Sequence, residues 1–182
     1  MDIKVVDNFL NPKELEEIGH VVTSPNWQLR GGGGYDEGGI TSLFWHIDGL
    51  ENHSFFVNIF NKIRSTFNLD VNLIRCFANG QTATQSGVPH YDEGDFTFLL
   101  FTEPWKFYYG GELFFAENDE IIKTVTYKEN RGVLFPSKIL HYSGAPNRKY
   151  DFLRVSFAWK MLNKDKNVKE YIKRLNNLDR SE

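Results

Sequence analysis

Residues 131–159 read RGVLFPSKILHYSGAPNRKYDFLRVSFAW, and the reading of the fold starts here. An apolar strand runs from Gly132 and ends at Pro136. A turn follows, and His141 sits just past it. A second apolar run then carries Arg154 and, two residues on, Ser156. Positions i and i+2 of a strand project to the same face, so Arg154 and Ser156 point one way. An arginine within an otherwise apolar strand requires an anionic partner, because an unpaired buried guanidinium is very costly. A structural ion pair to an Asp or Glu would satisfy it as well as a bound carboxylate would.

Outward from this stretch, the chain from residue 71 keeps one texture. VNLIRCF, FTFLLF, GELFFA, IIKTVTY, GVLFP and LRVSFAWKM are short apolar runs divided by turn residues. Strands spaced roughly ten residues apart predict a β-sandwich or barrel. Earlier, IKVVDNF predicts a strand, and Asn11-Pro12 opens a helix with an N-cap and a proline at its first position. Leu15, Ile18 and Val22 form its stripe. NHSFFVNIFNKIRSTF predicts a second helix, with Phe56, Ile59, Phe60, Ile63 and Phe67 on one side. The GGGGYDEGG run at 31–39 predicts a mobile loop, because glycine loses the most backbone entropy on ordering. It lacks the GK[ST] of a phosphate loop. KDKNVKEYIKRLNNL predicts a last helix with Val168, Tyr171, Ile172 and Leu175 as its apolar stripe.

The chain of 182 residues is therefore expected to be one domain. Its parts are a helical region at 1–70 with the glycine-rich loop, a β core at 71–160 and a C-terminal helix at 161–182. Aromatic residues make up 15% of the chain, with 16 Phe, so there is ample material for a core. Cys76 is the single cysteine, so no internal disulfide is possible and a cytoplasmic, intracellular location is expected. No secretory leader and no membrane span are expected. The net charge of −3 conceals a basic tail: seven of the 21 Lys and Arg but only four of the 24 Asp and Glu fall within 160–182. The remaining acidic body argues against nucleic acid as a partner.

The tetrapeptide YDEG occurs twice, at Tyr35–Gly38 and Tyr91–Gly94. Only the second is preceded by a histidine, giving His90-Tyr91-Asp92. On extended chain His90 and Asp92 face one point, which is what a divalent transition metal needs from two adjacent ligands. The chain has five histidines. His20 reads as a helix-end residue and His53 as a helix cap. His46, with Asp48, makes a second His-x-Asp. His141 would supply a third ligand to His90 and Asp92. Two histidines and one carboxylate on one side of a metal leave positions open, as in non-haem Fe(II) oxygenases.

Taken in order, IRCFANGQ, PHYD, YGGELFF, RGVLFPSKILHYS and LRVSFAW resemble the 2-oxoglutarate- and Fe(II)-dependent dioxygenases, specifically their prolyl 4-hydroxylase-like branch. The resemblance covers about 71–160 and, more loosely, VVDNFLNPKELEEI. It implies a mainly β (α+β) fold: a double-stranded β-helix, or jelly roll, flanked by N-terminal helices and a C-terminal helix. It implies His90, Asp92 and His141 as Fe(II) ligands and catalytic residues. It implies Arg154 and Ser156 as the grip on the distal carboxylate of 2-oxoglutarate. With O2, such an enzyme hydroxylates a prolyl residue of a peptide or protein and releases succinate and CO2. Two departures stand out. Phe77 occupies the position where the family often has a tyrosine, and the Gly80–His90 connection is long. Gln81, Thr82 or Tyr91 are the candidates to replace the missing contact. Tyr35, Trp105 and Tyr109 are the candidate substrate residues, with the glycine-rich loop as a lid. The same chemistry on a small molecule or nucleobase, or a non-catalytic binding module, are the alternatives.

Overall fold

The computed structural model describes residues 2–35, 41–149 and 151–178. In chain order the strands are β1 (Lys4–Asp7), β2 (Gln28–Tyr35), β3 (Thr41–Ile47), β4 (Val71–Gln81) and β5 (Phe96–Phe101). They continue with β6 (Leu113–Glu117), β7 (Glu120–Val125), β8 (Arg131–Pro136), β9 (Leu140–Ser143) and β10 (Arg154–Asn163). The helices are α1 (Pro12–Val22), α2 (Ser54–Phe67) and α3 (Val168–Leu178).

The strands form two antiparallel sheets. One has seven strands in the order β1-β8-β5-β10-β4-β3-β2, the other three in the order β7-β6-β9. The chain segment carrying His90 runs beside β9 and extends the small sheet, through an isolated bridge between His90 and His141. This is the jelly-roll core, with helices packed outside it.

β10 explains why the two faces differ. Its odd positions Phe157 and Trp159 pair in register with Ala78 and Cys76 of β4 and face the helices. Phe56 of α2 stacks on Phe157 at 5.5 Å, and Trp159 Nε1 donates to the Phe56 carbonyl at 3.1 Å. Phe56, Ile59 and Ile63 are fully buried, each worth about 1.5–3 kcal/mol of transfer free energy. The even positions, Arg154, Ser156, Ala158 and Lys160, face the interior between the sheets. Phe101, Phe115, Phe135 and Tyr127 form a second core there.

α1 begins as its sequence predicts. Asn11 accepts from the Glu14 amide and Glu14 accepts from the Asn11 amide, a reciprocal capping box. His53 caps α2 by accepting from the Phe55 amide at 3.3 Å, and His20 lies exposed in the last turn of α1. At the other end, α3 is tied to the segment after Asp92. The Gly94 amide donates to the Tyr171 hydroxyl at 2.7 Å, and Lys166 pairs with Asp95 at 2.6 Å.

Two expectations need correction. Residues 31–35 of the glycine-rich run are not loop but the second half of β2, and β3 follows at 41. β2 pairs with β3 at Gly31 and again at Tyr35, with a register shift between them. The region 1–70 therefore contributes three strands as well as two helices. The turn after Pro136 is present, and His141 lies just past it, in the short strand β9. Residues 36–40, which include Asp36 and the remainder of the expected lid, lie outside the described residues.

Candidate active site

A cavity of about 810 Å³ opens between the two sheets. The strand register builds its walls. Facing inward along β10 are Arg154, Ser156, Ala158 and Lys160, paired with Gln81, Asn79, Phe77 and Arg75 of β4. On the next strand, β3, His46 pairs with Asn79. Across from them, β9 and the segment at 89–93 bring His141, Pro89, His90, Tyr91, Asp92 and Glu93 to the same space.

His90, Asp92 and His141 converge. Their ligand atoms all lie within 4.8 Å of one another, and this is the group among the described residues that can hold a metal ion. His90 Nε2 lies 3.5 Å from Asp92 Oδ1, and His141 Nε2 lies 3.3 Å from Asp92 Oδ2. The outer nitrogens are fixed by the backbone: His90 Nδ1 bonds the Val88 carbonyl and His141 Nδ1 the Ile139 carbonyl, each at 2.8 Å. A carbonyl only accepts, so both Nδ1 atoms carry the hydrogen. Both Nε2 lone pairs are then left facing the site, the tautomer a metal ligand requires. The donor set thus fits a divalent first-row transition metal.

Asp92 is buried, which by itself raises a carboxyl pKa. The Lys160 ammonium outweighs that and holds it well below the usual carboxylate range. Thr97 Oγ1 donates to Asp92 Oδ2 at 2.7 Å and lies 3.2 Å from Ser137 Oγ. The Asp92 backbone is anchored too, its amide donating to the Ser137 carbonyl at 2.9 Å. Gly94, which ends this YDEG copy, has φ +81°, and a Cβ there would meet the Met161 carbonyl oxygen at 2.6 Å. The glycine is therefore required by both conformation and space.

Arg154 and Ser156 line the same cavity, on one face as expected. Arg154 is 2% exposed. Its Nε donates to the Gly111 carbonyl and its NH1 to Gln81 Oε1, both at 2.7 Å. The guanidinium carbon lies 4.9 Å from the Tyr127 ring centroid and 5.3 Å from that of Phe101. A Cβ on Gly111 would come within 2.8 Å of Arg154 Cδ and Nε, so the glycine pair of YGGELFF makes room for this arginine. Tyr127 is fully buried, which raises its hydroxyl pKa, and it donates to the Val155 carbonyl at 2.5 Å.

Phe77 also lines the cavity, and its ring face is used: Arg75 lies 4.5 Å and Lys160 5.6 Å from its centroid. Of the candidates to replace the missing tyrosine contact, Gln81 is the one bound to Arg154. Tyr91 lines the mouth and is 61% exposed, whereas Thr82 is exposed and outside the cavity lining. Trp105 and Tyr109 are not among the residues lining the cavity. Trp105 packs on Tyr127 at 4.3 Å and on Tyr109 at 5.5 Å, and its Nε1 donates to the Gly110 carbonyl. These rings buttress the second core behind Arg154. Tyr35 ends β2, and its side chain is outside the described residues.

Sequence reading missed one wall. Arg30 and Arg75 each pair with Asp48, at 2.8 and 2.9 Å, and all three line the cavity with His46. His46 is buried, which lowers its pKa, and neither its Nε2 nor Asn79 Oδ1 has a hydrogen-bond partner among the described residues. The second His-x-Asp thus belongs to the cavity, but outside the metal-holding group. Lys160 and Thr97 were missed as well. A lysine and a threonine at cavity-facing positions of apolar strands, the parity already used for Arg154, were the available signal.

No family model matches the chain, and no curated protein matches it. Solved structures do. A viral collagen prolyl hydroxylase from Paramecium bursaria Chlorella virus-1, solved with 2-oxoglutarate, is similar at a TM-score of 0.64 and 13% identity, covering 88% of this chain and 96% of that one. A prolyl hydroxylase from Trichoplax adhaerens, bound to a peptide of hypoxia-inducible factor, is similar at 0.68 and 12%, covering 90% and 84%. A non-haem α-ketoglutarate-dependent epimerase of nogalamycin biosynthesis is similar at 0.65 and 12%, covering 88% and 78%. At such identities the likeness carries the fold: the chain has the jelly-roll fold of the 2-oxoglutarate- and Fe(II)-dependent oxygenases.

Proposed function

We propose that the protein is a 2-oxoglutarate- and Fe(II)-dependent dioxygenase that hydroxylates a prolyl residue of a peptide or protein. The observation that carries this reading is the convergence, in one cavity, of a His90–Asp92–His141 group with free Nε2 lone pairs and a buried Arg154 beside Ser156. His90, Asp92 and His141 would hold the iron. Arg154 and Ser156 would take the distal carboxylate of 2-oxoglutarate, with Gln81 and the Gly111 carbonyl orienting the guanidinium. Iron and keto acid together supply the oxidising chemistry, consuming O2 and giving succinate and CO2.

The remaining work falls to the chain. The Val88 and Ile139 carbonyls keep both imidazoles in the ligating tautomer. Leu99, Leu113, Leu140 and Ala158 give the cavity an apolar floor that limits water around the reacting centre. β2 and β3 wall the mouth where a substrate would approach.

A second reading, the same chemistry on a polar small molecule, has its own support. The wall made of Arg30, His46, Asp48, Arg75 and Asn79 offers hydrogen-bonding groups that a proline ring does not use. The distant structural neighbour from nogalamycin biosynthesis agrees with it. The test is a panel of proline-containing peptides and polar small molecules, incubated aerobically with Fe(II) and 2-oxoglutarate. The prolyl reading expects a peptide to gain the mass of one oxygen atom, with proline as the modified residue. If succinate rises only with small molecules, the second reading takes its place.

A further inference from the structure

Lys160 is a cation built into the metal-holding group itself. It lies six residues beyond Arg154 on β10, so both project from one face of the strand into the cavity. Its side chain is 6% exposed. The ammonium contacts Asp92 Oδ2 and lies 3.3 Å from Thr97 Oγ1. Thr97 donates to that same Oδ2. The two carboxylate oxygens are therefore unequal. Oδ2 is engaged by an ammonium and a hydroxyl, with His141 Nε2 3.3 Å away, while the contact described for Oδ1 is His90 Nε2 at 3.5 Å.

Two consequences follow from elementary chemistry. A six-coordinate metal with three protein ligands keeps three positions only if each ligand gives one atom. A carboxylate free to chelate with both oxygens would take a position that a keto acid or O2 needs. Charge matters as well. A cation beside Asp92 repels a divalent metal and attracts a dianion bound next to it, and these effects are large where water is excluded.

We propose that Lys160, with Thr97, holds Oδ2 so that Asp92 offers only Oδ1 to the metal, and that its charge lowers metal affinity while raising affinity for the anionic keto acid. Lys160 is thus a positioning residue that makes productive loading depend on both ligands. The inference rests on the functional reading above, and it gives a signature that a merely structural lysine would not. Replacing a structural lysine weakens metal and keto acid together, whereas replacing this one moves them in opposite directions.

The experiment is calorimetric or spectroscopic titration of the full chain, first with Mn(II), then of the Mn(II)-loaded protein with 2-oxoglutarate, under anaerobic conditions. Lys160→Met is expected to bind Mn(II) about threefold more tightly or better, and 2-oxoglutarate about tenfold more weakly or worse. Lys160→Arg is expected to keep both constants within about threefold of wild type, because it keeps the charge. Thermal melting monitors folding. Where Lys160→Met does not fold, Lys160→Gln carries the same expectation, since it keeps a hydrogen bond to Asp92 without the charge. A wild-type protein that binds neither ligand sinks the functional reading itself. A wild type that binds both, while the neutral variant weakens both together or changes neither, overturns only the role given to Lys160.

Discussion

Two His-x-Asp pairs line one cavity, His46–Asp48 and His90–Asp92, and only the second belongs to a metal-holding group. Their sequences do not separate them, but their surroundings do. Both oxygens of Asp48 are taken by guanidiniums, Oδ2 by Arg30 and Oδ1 by Arg75. Asp92 has Oδ2 engaged by Lys160 and Thr97, with His141 Nε2 beside it, while Oδ1 faces His90 Nε2. His141 joins the second pair across the small sheet; no such third ligand joins the first among the described residues. The lesson is that the spacing sets direction only. Whether lone pairs remain available, and whether a third ligand arrives, is decided by residues distant in sequence.

The comparison breaks most sharply at the metal. Alanine at His90, Asp92 or His141 is expected to lower Mn(II) affinity by about a hundredfold or more. His46→Ala and Asp48→Asn are expected to leave it within about threefold, and titration calorimetry distinguishes the two sets. The next effect falls on the far end of the cavity. Gly111→Ala drives a methyl into Arg154, so 2-oxoglutarate affinity should drop by about tenfold while Mn(II) affinity holds.

Two smaller changes probe what fixes the second pair in place. Gly94→Ala combines a positive φ with a 2.6 Å clash, and should cost roughly 2 kcal/mol or more of unfolding free energy in urea. Tyr171→Phe removes the acceptor for the Gly94 amide and should cost about 1 kcal/mol, since that amide lies at the end of the chain's own YDEG turn. Neither substitution touches the first pair, so both should spare a readout confined to β3.

The smallest effect is on pH dependence, away from both pairs. Hydrogen bonds from Arg131 and Lys128 hold the Asp7 carboxyl well below its usual range. A depressed folded-state pKa contributes stability above the unfolded value of about 4, lost as pH falls toward the folded value. Asp7→Asn should therefore lower the melting temperature near neutrality, with the difference from wild type shrinking as pH falls below about 4.

Much of this was legible in the sequence because strand parity is simple. His90 with Asp92, and Arg154 with Ser156, each rest on the i, i+2 rule. A buried arginine flags itself by cost. Asn11 and Pro12 announced α1 for equally local reasons. What escaped was set by pairing between distant segments. Gly31 to Gly34 read as loop because glycine favours no structure alone, yet β2 runs through them and pairs with β3 at Gly31 and Tyr35. Trp105 and Tyr109 looked like substrate platforms because an aromatic cluster beside a glycine turn reads as exposed. Trp105 packs on Tyr127, 22 residues away, and Tyr109 packs on Trp105. Lys160 counts with the basic tail on sequence alone because its partner, Asp92, lies 68 residues earlier.

The central claim is that His90, Asp92 and His141 hold an iron that, with 2-oxoglutarate, performs oxidation. The most direct measurement is succinate formed from 2-oxoglutarate under air with Fe(II), in the wild-type protein and in His141→Ala. The account predicts succinate from the wild type, slow without substrate, and none above background from His141→Ala. An iron-loaded wild type that forms no succinate with any substrate offered, or equal formation by His141→Ala, would contradict it.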